Sequence, residues 1–75
     1  MRREIPMNHV RHLAILSEKE TGTVKELNVI AWNENPPKLD IRDWFPDGRC
    51  GKGVTLTDSE ARVLCEALHA YLEEG

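Results

Sequence analysis

Residues 33–45, Asn-Glu-Asn-Pro-Pro-Lys-Leu-Asp-Ile-Arg-Asp-Trp-Phe, decide the fold, because they predict a turn that runs into a strand. The paired prolines lack backbone N–H donors, so strand pairing resumes only near Lys38. Period-2 geometry over residues 38–45 then puts alternate side chains on one face of the strand. That face carries Lys38, Asp40, Arg42 and Trp44.

Two strands are predicted before this one and a short strand after it. Residues 9–18 and 24–33 have apolar side chains on both faces at period 2, which is typical of strands. In the first of them, one face is expected to carry Val10, His12, Ala14 and Leu16. Residues 46–53, Pro-Asp-Gly-Arg-Cys-Gly-Lys-Gly, predict a basic glycine-rich loop, and residues 54–56 predict the fourth strand.

The C-terminal segment predicts an amphipathic helix that begins with a capping box, Thr57-Asp-Ser-Glu60. One apolar stripe at helical spacing consists of Ala61, Leu64, Cys65, Leu68, Tyr71 and Leu72, and a second consists of Val63, Ala67 and Ala70. We expect the first stripe to cover the sheet and the second to bind another copy of the chain. The predicted homodimer interface comprises Val63, Ala67, Ala70 and Tyr71.

The length of 75 residues allows a single domain, which we place at residues 9–75 after a flexible lead-in at residues 1–8. A chain this short buries only about 60% of its unfolded surface, so a partner subunit would complete its core. There is neither an apolar run of membrane-spanning length nor a signal-peptide pattern. We therefore expect a cytoplasmic protein, nucleoid-associated if bacterial, that does not interact with membranes.

The acidic net charge of −3 belongs to one end of the chain. Residues 1–56 hold nine Lys/Arg against eight Asp/Glu, whereas residues 57–75 hold one against five. Local potential rather than total charge governs attraction to phosphate. Because lysine and arginine bind phosphates while flat rings stack on bases, the face around Arg42 has the chemistry of a surface for single-stranded nucleic acid.

The string Leu39-Asp-Ile-Arg-Asp-Trp-Phe45, followed by Gly51-Lys-Gly-Val-Thr-Leu56 and the capped helix, resembles the positive cofactor four (p15) transcriptional coactivator family. The likeness covers about residues 9–72 and is strongest to the bacterial YdbC-like branch. It implies an α+β fold in which a curved four-stranded antiparallel sheet precedes one C-terminal helix (ββββα), in a homodimer. It also implies binding of single-stranded DNA with little sequence preference, in transcription regulation or DNA repair.

Positions transfer from the family one at a time. Arg42 matches a strand arginine that meets the DNA backbone, and Lys52 matches the lysine of the basic loop. Trp32 matches an aromatic near the end of the second strand, and Phe45, or Trp44 beside it, matches the aromatic that closes the third. The turn at residues 35–37 lacks the family's lysine, so Lys25 and Lys38 are expected to supply that charge. The predicted nucleic-acid-binding set is Lys25, Trp32, Lys38, Arg42, Trp44, Phe45, Arg49 and Lys52.

Simpler explanations stand beside these assignments. Trp32 has the ring of a core residue, Arg42 has neighbours for a cross-strand ion pair, and Lys52 suits a solvated loop. The residues do not distinguish DNA from RNA as the partner. A rival interpretation is a protein-interaction module that binds through the helix and exposed aromatics, without nucleic acid.

Enzyme chemistry is not predicted, and neither is a catalytic residue, a cofactor, a metal or a small-molecule substrate. His9 and His12 are three residues apart in a strand and are expected on opposite faces, so they cannot share a metal ion. Asp40 and Asp43 diverge in the same way. Cys50 and Cys65 are expected to be free thiols, and a redox role for Cys50 stays open.

Overall fold

The computed structural model describes residues 7–74, which form a four-stranded antiparallel sheet followed by one helix. The strands follow chain order across the sheet. The elements are β1 (Met7–Glu18), β2 (Val24–Trp32), β3 (Lys38–Trp44), β4 (Cys50–Leu56) and α1 (Asp58–Glu73). The α+β class and the ββββα order are thereby confirmed. Most of the predicted lead-in lies outside the described residues, and its last two residues belong to β1.

Short turns connect the strands. Lys19 donates to the Thr23 carbonyl at 2.8 Å in the first turn, and Asn35 donates to the Trp32 carbonyl at 3.0 Å in the second. Asn33 in that second turn has φ of 56°, in the left-handed region that asparagine tolerates better than most residues. The third turn closes between Phe45 and Arg49, whose carbonyl accepts from the Phe45 amide at 2.8 Å.

The fourth strand is longer than predicted, because the glycine-rich segment pairs with β3 instead of forming a loop. β4 begins at Cys50, and Gly53 lies opposite Arg42 in the ladder. An added Cβ at Gly53 would overlap the Cβ of Arg42 and the carbonyl oxygen of Ile41. The glycine therefore permits a close approach of two strands, so reading residues 50–53 as loop was wrong.

The first strand does not alternate regularly, because its pairing with β2 shifts at three places. His12 lies opposite Asn28, whereas Ala14 lies opposite Leu27 on the other side of the sheet, so the predicted shared face was wrong. The shift between His9 and Arg11 also corrects the prediction for the histidines. Both His9 and His12 lie on the same face, since their partners Ile30 and Asn28 are two residues apart.

The sheet has a polar face and an apolar face. The polar face includes Asn28, Ile30, Asp40 and Arg42, and the apolar face includes Leu27, Leu39 and Ile41. The Trp32 indole N–H donates to Asp40, although Asp40 pairs with Asn28, four residues before Trp32 in β2. The sheet therefore curves toward its polar face. Asn28, Ile30 and Asp40 on this inner side are the side chains with no exposed surface among residues 8–74.

The helix begins as predicted and packs differently. Thr57 Oγ1 accepts from the Glu60 amide at 3.1 Å, and the Thr57 amide donates to Glu60 Oε1 at 2.8 Å, which confirms the capping box. No residue of the helix Asp58–Glu73 is buried, and its sheet contacts are with β3 and β4. The first apolar stripe therefore does not cover the sheet, contrary to prediction. No helix within residues 7–74 has the length and apolar character to cross a membrane.

An open apolar groove of about 450 Å³ separates the helix from the apolar face of the sheet. Its sheet side includes Leu27, Leu39 and Ile41, and its helix side includes Leu64 and Leu68. Leu68 is 48% exposed. We call this the apolar groove.

Candidate nucleic-acid interface

A buried ion pair lies at the centre of the polar face. Arg42 donates from Nε to Asp40 Oδ1 and from Nη2 to Asp40 Oδ2, both at 2.7 Å. This bidentate geometry is the strongest that the guanidinium and carboxylate groups form. Asp40 is fully buried and lies two residues from Arg42 on the same face, as the period-2 pattern predicts. The cross-strand ion pair that the sequence left open is not the arrangement observed.

The guanidinium of Arg42 lies over the ring of Trp32, 4.7 Å from its centroid. Trp32 Nε1 donates to Asp40 Oδ2 at 3.2 Å, and Arg42 Nη1 donates to the Gly51 carbonyl at 3.2 Å. Within residues 7–74, these hydrogen bonds engage three of the five N–H donors of the guanidinium. The three side chains thus form a rigid unit, which we call the Trp32–Asp40–Arg42 cluster.

The charge of Arg42 is secured by its partner. The hydrogen bond to Asp40 raises the pKa of the guanidinium above its usual value, and the Coulomb attraction of the same carboxylate adds to this, against the opposing effect of partial burial. The guanidinium therefore stays cationic throughout the range in which proteins function.

An open groove lies beside this cluster on the polar face, with a volume of about 380 Å³. We call it the Trp32 groove. It combines an aromatic ring, two cationic side chains and the proline turn. Its lining consists of Ile30, Trp32, Asn35, Pro36, Lys38, Arg42 and Thr55. The structure therefore brings together three of the predicted nucleic-acid-binding residues: Trp32, Lys38 and Arg42.

Trp44 has different surroundings from Trp32. Its ring packs against His9, with ring centroids 4.8 Å apart and planes tilted by 45°. Its Nε1 atom is buried and has no hydrogen-bond partner among residues 7–74. The ring is half-buried and on the same face as Arg42, as predicted, but it does not line the Trp32 groove.

A second aromatic and cationic cluster lies at the turn between β3 and β4. The guanidinium of Arg49 lies 5.7 Å from the centroid of the Phe45 ring. Arg49 also donates from Nε to Asp47 Oδ2 at 2.8 Å. The backbone N–H of Arg49, followed by the guanidinium, lowers the pKa of the exposed Asp47 carboxyl. Gly51 lies against the Phe45 ring, where an added Cβ would come within 3.1 Å of Cζ.

The predicted lysines are distributed over both sides of the molecule. Lys25 lies opposite Asp43 on the same face of β2 as Leu27 and Val29, which is the other side of the sheet from Arg42. It therefore does not share the Trp32 groove. Lys52 is exposed in β4 beside the shift in pairing between Arg42 and Trp44.

A polar network that the sequence did not predict lies next to the cluster. His12 Nδ1 is 2.7 Å from Asn28 Oδ1, and Asn28 Nδ2 donates to Glu26 Oε1 at 3.0 Å. The network satisfies the fully buried Asn28 amide. An asparagine among the apolar residues of β2 was the available signal, but the shift that brings His12 opposite it has no sequence signature.

Within residues 7–74, no three His, Cys, Asp or Glu side chains are grouped so as to hold a metal ion. Cys50 and Cys65 are both free and exposed, as expected for thiols.

The fold and the site define a small sheet-and-helix domain whose curved polar face carries an aromatic groove lined with cations. Comparison with known proteins assigns this domain to a family. Residues 19–67 match the model of the family described as Transcriptional Coactivator p15 (PC4). The chain belongs to this family, whose members are nucleic-acid-binding domains without enzymatic activity.

The chain is also similar to a bacterial relative. It is 44% identical over 61 residues to an uncharacterized protein of Treponema pallidum (strain Nichols), a match that covers 80% of this chain and 72% of the relative. The family resemblance predicted from residues 39–56 is therefore confirmed, and the relative agrees with a bacterial branch.

Proposed function

We propose that this protein binds single-stranded DNA through the polar face of its sheet, with little sequence preference. The observation that carries the proposal is the Trp32 groove, in which a half-buried tryptophan ring lies beside Lys38 and Arg42. A base that stacks on an aromatic ring contributes about 1–3 kcal/mol, whatever its identity. The adjacent cations bind phosphates, which are the same in every sequence.

The Trp32–Asp40–Arg42 cluster supports this function by holding its groups in place before the ligand arrives. Asp40 binds both the indole N–H and the guanidinium, so neither side chain has to be ordered on binding. In this proposal the exposed part of the Arg42 guanidinium binds one phosphate. Lys38 at the rim supplies a mobile charge.

In this proposal the Phe45 and Arg49 cluster and exposed Lys52 are a separate, peripheral contact, because an added Cβ at Gly51 would meet both the Phe45 ring and the Cβ of Asp43, on the side of the sheet away from Arg42. It offers a ring and two cations at the edge of the sheet. In this proposal Trp44 supports the surface by packing against His9 rather than by stacking on a base, since its N–H points into the protein.

The functional unit of the proposal is a homodimer that joins through the apolar groove. The chain exposes 6190 Å² of surface, whereas a compact monomer of its mass exposes about 4,700 Å². The excess of about 1,500 Å² for one chain is larger than the roughly 800 Å² that each partner buries in a standard protein interface. We assign a second copy of the chain to the apolar groove, because leucines of both the sheet and the helix are exposed to solvent in the single chain. Val63, Ala67, Ala70 and Tyr71 extend that exposed helix surface.

The proposed function is tested with two lysines that differ in the face they occupy. Lys38 lines the Trp32 groove, whereas Lys25 lies on the apolar face. In fluorescence anisotropy with labelled oligo-dT, Lys38→Ala is expected to weaken binding and to reduce the dependence of log Kd on log salt by about 0.7. Lys25→Ala is the matched control and is expected to leave both unchanged.

Tryptophan fluorescence provides a second measurement on the same samples. Binding is expected to quench emission in the wild type, and Trp32→Phe, which keeps a ring for stacking, is expected to remove most of the quenching while retaining binding. A flat anisotropy response at low salt would refute the proposal and favour a protein-interaction module. Equal loss in the two lysine variants would refute the assignment of the face. Competition with oligo-U measures the preference for DNA over RNA.

A further inference from the structure

A second groove adjoins the Trp32 groove at the proline turn. It has a volume of about 500 Å³ and runs from the turn between β2 and β3 to the first turns of the helix. We call it the turn groove. Its lining consists of Pro36, Pro37, Lys38, Leu56, Thr57, Asp58, Ser59 and Arg62. Pro36 and Lys38 line both grooves, so the two grooves adjoin at these residues, and we call the pair the depression.

Charge is distributed unevenly along this depression. Arg42 lies in the first groove, Lys38 at the junction and Arg62 in the second, so cations recur along its length. Asp58 is the one carboxylate that lines the turn groove, against Lys38 and Arg62. Arg62 is also the one Lys or Arg of residues 57–75, a segment that holds five Asp or Glu residues.

The N-terminus of the helix is not the group that attracts an anion to the turn groove. The capping box occupies the Glu60 amide with Thr57 Oγ1 and the Thr57 amide with Glu60 Oε1. The hydroxyl groups of Thr57 and Ser59 also form a hydrogen bond, with Oγ1 and Oγ 3.2 Å apart. The group in the turn groove that suits an anion is therefore the exposed guanidinium of Arg62.

We infer that single-stranded nucleic acid leaving the Trp32 groove continues past Lys38 into the turn groove, where Arg62 binds a further phosphate. This inference rests on the proposed function and extends it, because it gives the strand a path and adds a contact from the helix. Pro36 and Pro37 at the junction have no N–H donor, so the phosphate contacts in this part of the path come from the side chains of Lys38 and Arg62.

The experiment compares a short and a long oligo-dT, of about 3 and about 15 nucleotides, because a strand that fills the Trp32 groove with three nucleotides has none left to reach Arg62. Arg62→Ala is expected to weaken binding of the long strand about twofold to fivefold, the range of one exposed ion pair, without affecting the short strand. The salt dependence of log Kd for the long strand is expected to fall by about 0.7.

Two further variants control for charge. Arg62→Lys keeps a cation at this position and is expected to restore most of the affinity for the long strand. Lys19→Ala removes one positive charge in the turn between β1 and β2, at the opposite end of the hairpin from the proline turn, and is expected to change neither affinity. Far-UV circular dichroism confirms that each variant retains the helix.

The possible results separate the inference from the function on which it rests. Arg62→Ala with equal effect on both strands, or with none on the long strand, would overturn the path while leaving the proposed function intact. Absence of binding of either strand by the wild type would overturn both. A third result would identify the turn groove as a peptide site and refute the path. In that case Arg62→Ala would bind both strands as the wild type does, and an acidic peptide would displace the long strand from the wild type but not from Arg62→Ala.

Discussion

Two Asp-x-Arg pairs in this chain show how environment sets the value of the same interaction. Asp40 and Arg42 are hydrogen-bonded inside the curve of the sheet, and Asp47 and Arg49 are hydrogen-bonded in an exposed turn. The side chain of Asp40 is 0% exposed, whereas that of Asp47 is 55% exposed. Removal of the cation therefore has different consequences at the two places.

Arg42→Ala is expected to reduce the free energy of unfolding by about 3–5 kcal/mol, because it leaves the Asp40 carboxylate buried without its partner. Urea denaturation monitored by circular dichroism measures this loss.

Arg49→Ala is the matched control and is expected to leave the urea midpoint unchanged, since water solvates Asp47 when its partner is removed. The double variant Asp40→Asn with Arg42→Gln is expected to recover part of the stability, because no buried charge remains. Equal midpoints for Arg42→Ala and Arg49→Ala would contradict the account of burial.

The pH dependence of the buried pair follows from the direction of the shift at Arg42. Its folded-state pKa is raised, so its contribution to stability is fully present below the pKa of arginine in the unfolded chain and is lost only above it. The cation of the Trp32 groove is therefore retained at neutral pH. At the exposed turn the sign is opposite: the lowered pKa of Asp47 means that its favourable interaction is lost as the pH falls through the folded-state value.

At the scale of elements, β4 shows that a glycine-rich segment can form a strand where the neighbouring strand β3 leaves no room for side chains. Gly53 lies where β3 leaves no room for a Cβ, and Gly51 lies against the Phe45 ring. The close approach brings the Gly51 carbonyl within reach of Arg42 Nη1. Sequence patterns for loops count glycines but contain no information on the strand opposite.

Gly53→Ala is expected to destabilise the protein by about 1–3 kcal/mol, the usual cost of overpacking, and to displace Arg42. Gly51→Ala is expected to cost less, since its nearest neighbour is the edge of a ring that can shift rather than backbone. Thermal unfolding of the two variants measures the difference. A larger loss for Gly51→Ala would contradict the register observed between β3 and β4.

At the scale of the whole molecule, the exposed apolar groove is the dominant feature. Ile30 is the one apolar side chain that is fully buried among residues 8–74, while leucines on the helix remain open to solvent. A sheet and helix that leave so much apolar surface exposed are consistent with a chain completed by a second copy. In the proposed dimer, one face of the four-stranded sheet would bind the ligand and the other would bind the partner.

Leu68→Glu is expected to convert the proposed dimer to a monomer, because it introduces a charge into the apolar groove where Leu68 lies opposite the sheet. Sedimentation over a range of concentrations measures the change in mass. The control is Glu66→Lys, a charge change on the same helix outside the apolar stripes, which is expected to leave the mass unchanged. A wild type that is monomeric at all concentrations would refute the dimer.

The sequence by itself determined the features that depend on near neighbours in the chain. The capping box at Thr57, the alternation that aligns Asp40 with Arg42 and the proline turn are all short-range, and the structure confirms each of them. The order of elements followed from them and from the family resemblance. A capping hydroxyl or an alternating strand needs only a few adjacent residues to specify its geometry.

Tertiary structure alone decided the shifts in β1, the extension of β4 and the position of the helix. The shifts bring both histidines to the polar face, and the curve of the sheet brings Trp32 to Asp40. These features depend on contacts between strands that are distant along the chain, and on apolar surface that a single chain cannot cover. Local periodicity carries no information on contacts between distant strands or on uncovered apolar surface. The Trp32 groove, which carries the proposed function, therefore could not be predicted before the sheet was known.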